Sequence, residues 1–340
     1  MSPSETIGTP VLWGVALVTV LGLLLLDFLL TRRPHQVSMR EALLWSAFYL
    51  ALPLVFGVYV WWDHGAEIGL EYYGGYLVEK SLSVDNLFVF MLILAGFAVP
   101  KELEQRVLLY GIAGALVLRG IFIALGATAL SRFDWVFLIF GLVLAATAAK
   151  LLVDAVRGHQ ETDVNSLRIV RVIRRFVPVT EEYDGPRMAA RLAGRRALTP
   201  FGLVVVVVLA TDLLFAVDSV PAVYGITGDP FLVFVTNAFA LLGLRALYFV
   251  LRGALDHLVH LNFGLAAILA FIGAKLVLHW AHLVWPSVPE IPTALSLAVI
   301  MGILLVTTTT SLIAVRRARR ATSRGDRPGL EHCDAWTRER

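Results

Sequence analysis

The chain has one cysteine, Cys333, among 340 residues. A lone thiol in a polar tail excludes an intrachain disulfide and keeps thiolate out of any metal site in the apolar segments. Charge is scarce: Asp, Glu, Lys and Arg make up 16% of residues, against 58% apolar, and the mean hydropathy is +0.76. Water is therefore not the main solvent. Met1–Pro10 has no lysine or arginine. It lacks the charged start of a cleaved signal peptide, so a retained first helix is expected. Histidines such as His64, His257, His260 and His279 fall at the ends of apolar runs or between them, and no nucleophile–His–acid set lies within the runs. Neither a Walker loop nor a dinucleotide fingerprint occurs. These absences point away from an enzyme.

What remains is a series of long apolar runs. A bilayer core needs roughly 20 apolar residues per helix. Nine runs meet that length, near 9–30, 42–62, 75–99, 107–130, 134–156, 199–224, 229–251, 260–282 and 292–315. They are apolar on all sides, whereas a helix of a soluble domain carries one stripe. The expected fold is all-α, a polytopic membrane protein of about nine spans. Positive charge sets the expected orientation. Arg32, Arg33, Arg40, Lys101, Arg106, Arg252, Arg316, Arg317, Arg319 and Arg320 fall in alternate loops or the tail, as do the nine arginines from Arg157 to Arg196. The other loops carry only Arg132. This places the N-terminus outside and the C-terminus in the cytosol. The pI of 9.1 then reflects loops beside anionic lipid rather than a nucleic-acid partner.

Within the runs, two stretches carry acids: V-E-K-S-L-S-V-D-N-L-F-V, with Glu79, Asp85 and Asn86, and A-T-D-L-L-F-A-V-D-S-V-P-A-V, with Asp212, Asp218 and Ser219. Each carboxylate in mid-membrane costs roughly 2.5–3.5 kcal/mol on insertion scales. Both members of the first pair recur 133 residues later, and Arg119 and Lys150 recur as Arg245 and Lys275 at intervals of 31 and 30 residues. The units are spans three to five and spans six to eight. Three is odd, so the second unit crosses in the opposite sense, the inverted repeat of many secondary transporters. The expected division is two bracing helices over 1–74, a first repeat over 75–156, a basic cytosolic loop over 157–198, a second repeat over 199–283, a last helix over 284–317 and a polar, disordered tail over 318–340. Within the loop, Ser166–Val177 segregates apolar from basic residues, which suits either a helix on the inner leaflet or a solvated linker helix.

Carboxylates six residues apart on a straight helix diverge by about 120° and about 9 Å. One ion could not easily reach both. Either the helix is broken, as Pro221 would favour by freeing the Val217 carbonyl, or each acid pairs across the repeat interface. The neutral oxygens of Asn86, Ser219, Thr211 and Ser81 are at hand, and Asn237 is either a ligand or polar glue. An all-oxygen set suits Mn2+, Ca2+ or Mg2+ rather than Zn2+. Lys80, Arg119, Arg245 and Lys275 are charge partners for the acids, with lysines also able to reach an interface. Asp27 is expected at the inner membrane surface.

The motifs E-K-S-L-S-V-D-N-L-F-V-F, A-T-D-L-L-F-A-V-D-S-V-P-A-V, T-N-A-F-A-L-L-G-L-R-A-L-Y and F-I-G-A-K-L resemble the TerC/Alx family of tellurium-resistance membrane proteins, over roughly residues 15–317. The resemblance implies an inner-membrane Mn2+ exporter within the LysE-like exporter superfamily, with ties to tellurite resistance and to metal loading of secreted proteins. Glu79, Asp85, Asp212 and Asp218 fall on the family's motif acids. The expected mechanism is proton-coupled export, with lipid, the ion and secretion or membrane-stress proteins as partners. Rival expectations are transport of an amino acid or another small cation, and a membrane scaffold or chaperone that transports nothing.

Overall fold

The computed structural model describes residues 6–30, 39–157, 178–180, 183, 185–192, 195–251 and 261–325. The elements are α1 (Pro10–Leu30), α2 (Met39–His64), α3 (Ala66–Gly96), α4 (Lys101–Arg132), α5 (Trp135–Arg157), β1 (Ala189–Leu192), β2 (Arg195–Leu198), α6 (Pro200–Tyr224), α7 (Pro230–Leu242), α8 (Leu244–Leu251), α9 (Leu261–Val284) and α10 (Thr293–Gly325). Eight segments among the described residues are long and apolar enough to cross a membrane: α1, α2, α4, α5, α6, α7 together with α8, α9 and α10. α3 is long enough as well, with 31 residues, but carries Glu67, Glu71, Glu79, Lys80 and Asp85. With α3 the helices match the nine expected runs, and the protein is an all-α polytopic membrane protein.

Local chemistry sets the helix starts. α6 begins where the Thr199 hydroxyl accepts from the Gly202 N–H at 3.0 Å, with Pro200 at the first helical position. α7 begins the same way, with Asp229 accepting from the Phe231 N–H at 2.8 Å ahead of Pro230.

Close packing then places the helices. α6 and α7 lie at the centre, with most of their residues buried. Lipid-type residues such as Val18 and Val55 face outward from α1 and α2. Apolar burial alone cannot order helices in lipid, so the contacts fall where small residues let backbones approach. A Cβ on Gly111 would lie 2.7 Å from Val208 Cγ1, which fixes α4 tightly against α6. At the crossing of α5 and α9, a Cβ on Gly273 would lie 2.9 Å from the Gly141 carbonyl oxygen. α3 packs on both α6 and α7, and α10 covers α9 and α3.

Three expectations change, and a fourth lies outside the described residues. The basic loop contains a two-stranded antiparallel ribbon, β1 with β2, in the register Ala189 to Leu198. The last helix runs past residue 318 to Gly325, so the tail's first residues are helical. Neither α3 nor α6 is broken near an acid: Pro221 sits in the last turn of α6, after the acids, where it distorts little. The interruption falls instead at Gly243, between α7 and α8, where the Gly243 N–H to Phe239 carbonyl bond lengthens to 3.4 Å. The expected amphipathic helix at Ser166–Val177 lies outside the described residues.

Candidate functional site

Arg119, from the middle of α4, is the hub of a buried polar cluster. Its side chain is 1% exposed. Nε donates to Asp212 Oδ2 and Nη2 to Asp212 Oδ1, both at 2.9 Å, a bidentate pair. Nη1 donates to Glu79 Oε1, to Asn237 Oδ1 at 2.6 Å and to Ser219 Oγ at 3.1 Å. With the Asn86 amide turned to donate to the Leu82 carbonyl at 3.1 Å, its oxygen accepts from Arg119 Nη2 at 3.3 Å. Asn237 Nδ2 closes the ring onto Glu79 Oε2 at 3.1 Å. A guanidinium has five N–H donors, and every one is used. α3, α4, α6 and α7 therefore meet at one ion cluster.

The periodicity of α6 explains which residues take part. Asp212 and Ser219 are seven apart, about two turns, and share a face. Asp218 points elsewhere. It is half-buried, and its Oδ1 accepts from Thr147 Oγ1 of α5 at 2.8 Å, within electrostatic range of Lys150. The side chain of Asp85 lies outside the described residues. Among the described residues no three His, Cys, Asp or Glu side chains gather as a metal would need. Thus Glu79, Asn86, Asp212 and Ser219 come together around Arg119, and Asp218 stands apart. Thr211 and Ser81 turn their hydroxyls back to their own helices, on the Val207 and Leu77 carbonyls at 2.7 Å each.

The other charge partners are placed differently. Arg245 does not pair with an acid of the second stretch. Its Nη2 donates to Asp27 Oδ1 at 2.6 Å, and the Tyr49 hydroxyl donates to the same oxygen at 2.8 Å. Asp27 is accordingly buried within the protein, where this partner satisfies it. Lys80 Nζ lies 2.9 Å from where a Gly243 Cβ would stand, so the missing side chain admits the ammonium beside the α7–α8 interruption. Lys275 lines a cavity of about 860 Å3 at the bundle end formed by the start of α3 and the ends of α4, α6 and α9. Glu67, Glu71, Asp134, His279 and Glu290 line it too. The Thr227 hydroxyl donates to Glu71 Oε2 at 2.7 Å, and His279 Nδ1 meets Glu290 Oε1 at 2.7 Å. Partial burial pushes the Glu290 carboxyl up, but the bond to His279 and its charge outweigh that and hold it below the ordinary value.

Sequence reasoning did not find Thr147, Tyr49 or Asp27 as partners. Thr147 stands one turn before Lys150 in A-A-T-A-A-K, the one signal available. Tyr49 carries none, since an aromatic in an apolar run reads as lipid-facing.

Residues 64–320 match the family described as Integral membrane protein TerC family. The chain is 40% identical over 329 residues to an uncharacterized membrane protein of Myxococcus xanthus, covering 96% of this chain and 99% of that one. It is 40% identical over 337 residues to an uncharacterized membrane protein of Mycobacterium tuberculosis strain H37Rv, covering 95% and 84%. It is also 40% identical over 314 residues to a protein of Escherichia coli K12 that carries the name of a membrane-bound redox modulator, Alx, covering 89% and 94%. No solved structure matches. A family match over most of the chain, joined by full-length relatives at this identity, agrees with the helical membrane fold and the acidic motifs: the chain belongs to the TerC family of integral membrane proteins.

Proposed function

We propose that the chain exports a divalent cation, Mn2+ first among candidates, from the cytosol across the bacterial inner membrane. One observation carries this reading. Glu79 of α3 and Asp212 of α6 are buried together at the crossing of their helices, surrounded by the neutral oxygens of Asn86, Ser219 and Asn237. Buried ionisable residues in a membrane protein mark an ion path by default. Oxygen ligands with no sulfur or imidazole favour Mn2+, Mg2+ or Ca2+. Asp218 on Thr147 serves as a second station on the route.

The helix contacts support the inverted repeat: α3 packs on α6, α4 on the α7 segment and α5 on α9, each against its counterpart. With the basic loop in the cytosol, the 860 Å3 cavity with its four acids, Glu67, Glu71, Asp134 and Glu290, faces outward and is where the ion leaves. Rocking of the two units would alternate access, and proton exchange is the assigned coupling. A relative's name as a redox modulator fits as a consequence of altered metal balance. An internal dithiol–disulfide couple would need a second cysteine, and this chain has only Cys333.

One observation favours a second reading. The Arg119 cluster is fully satisfied as it stands, as expected of a scaffold whose buried charges only hold helices together. Reconstitution separates the two. In proteoliposomes carrying the protein alone, wild type moves Mn2+, whereas Glu79→Gln with Asp212→Asn, or Asp85→Asn with Asp218→Asn, slows it by at least about tenfold. Wild-type rates in both double variants would remove the site assignment, and no flux in wild type would favour the scaffold.

A further inference from the structure

Arg119 stands where an exported ion would have to bind. Its guanidinium fills the space between Glu79 and Asp212 and takes both oxygens of one and an oxygen of the other. A cation cannot coordinate that carboxylate pair while the arginine holds it. We propose that Arg119 is a tethered counter-ion: it occupies the carboxylate pair while the carrier is empty and withdraws when a divalent cation takes its place. This rests on the export reading above and adds the step that lets the empty carrier return.

Charge supplies the reason. Two bare carboxylates in a low-dielectric interior carry a large desolvation penalty, and a transporter must pass back through its cycle after releasing cargo. A guanidinium on the protein itself neutralises one of the two charges, and the proton taken up in exchange for the cation neutralises the other. A divalent cation matches both and so can displace it, given enough gain in coordination.

The withdrawn side chain also has acceptors to meet. Ser219, Asn237 and Asn86 already accept from it. Two further hydroxyls, Tyr76 Oη and Ser83 Oγ, are buried without a hydrogen bond among the described residues. They stand three residues before and four after Glu79 on α3, within about 60° of it around the helix and about 6 Å along it. A buried hydroxyl without a partner costs about 1–3 kcal/mol. Their place on the Glu79 face of α3 makes them the acceptors we assign to the displaced guanidinium.

The test is tracer flux in proteoliposomes with 54Mn2+, run in two modes. Net flux requires the empty carrier to return; exchange of labelled for unlabelled Mn2+ does not. Arg119→Gln should lower net flux by at least about tenfold more than it lowers exchange, because only the return leg needs the guanidinium's charge beside the exchanged proton. Arg119→Lys keeps the positive charge and should retain both modes; it also serves if the Gln variant does not fold. Net flux at the wild-type rate in Arg119→Gln would overturn the proposal. So would loss of both modes in Arg119→Gln protein that still elutes as a folded species, or loss of net flux in folded Arg119→Lys. Failure of wild type in both modes would instead remove the export reading itself.

Discussion

At the scale of single residues, a buried charge is tolerated only where a partner meets it. Asp27 and Arg245 form a buried pair with Tyr49 as third member, far in sequence from both acidic stretches. Removing one partner of such a pair strands a charge and costs about 3–5 kcal/mol. We expect Arg245→Met to lower stability by that amount, and Arg245→Met with Asp27→Leu to recover most of it, read from chemical unfolding in mild detergent. Asp218→Asn should behave otherwise. The amide still accepts from Thr147, so stability should shift by less than about 1 kcal/mol. The sequence revealed Glu79, Asp212 and Arg119 because charge is expensive in an apolar run and each one is conspicuous there. It also named Arg119 as a charge partner of the acids, and the two are paired; it did not reveal the partner of Arg245. Arg119 and Arg245 occupy matching places in the repeat, yet one joins two motif acids and the other joins Asp27 of α1, a helix outside the repeat. Local pattern cannot supply a partner brought in by tertiary packing.

At the scale of elements, hydropathy located every span within a few residues, except that α3 starts at Ala66 rather than near 75, α4 starts at Lys101 rather than near 107 and α10 ends at Gly325 rather than near 315. The three differences have one cause: apolarity measures only the part suited to lipid, and a helix can run on into charged turns. The opposite error concerned the break. Pro221 suggested it because proline removes a hydrogen bond, but near a helix end that loss is small. Gly243 interrupts the span instead, and its missing Cβ makes room for Lys80. Glycines at helix crossings have a sharper role. Gly273→Val would drive its side chain onto the Gly141 carbonyl of α5, where no rotamer relieves a backbone contact. Overpacking of this kind costs about 1–3 kcal/mol, and a matching fall in thermal stability is expected. A control at Gly302, where a Cβ meets nothing within 4 Å, should leave it unchanged.

At the scale of the whole molecule, the helices of α3 to α9 form one body in which the buried acids lie at the crossing of four helices and an acid-lined cavity lies at one end. The repeat in the sequence anticipated that spans three and six meet, and they do, through Glu79, Arg119 and Asp212. It could not show that an arginine would sit between the acids, because a repeat gives correspondence and not contact. The central claim is that this arrangement moves a hard divalent cation outward. The most direct measurement is uptake into inside-out membrane vesicles for Mn2+, Ca2+, Mg2+ and Zn2+ at two pH values. The account predicts uptake of Mn2+ over Zn2+, dependent on the pH difference, and lost in Glu79→Gln with Asp212→Asn. A preference for Zn2+, or equal uptake in vesicles without the protein, would contradict it.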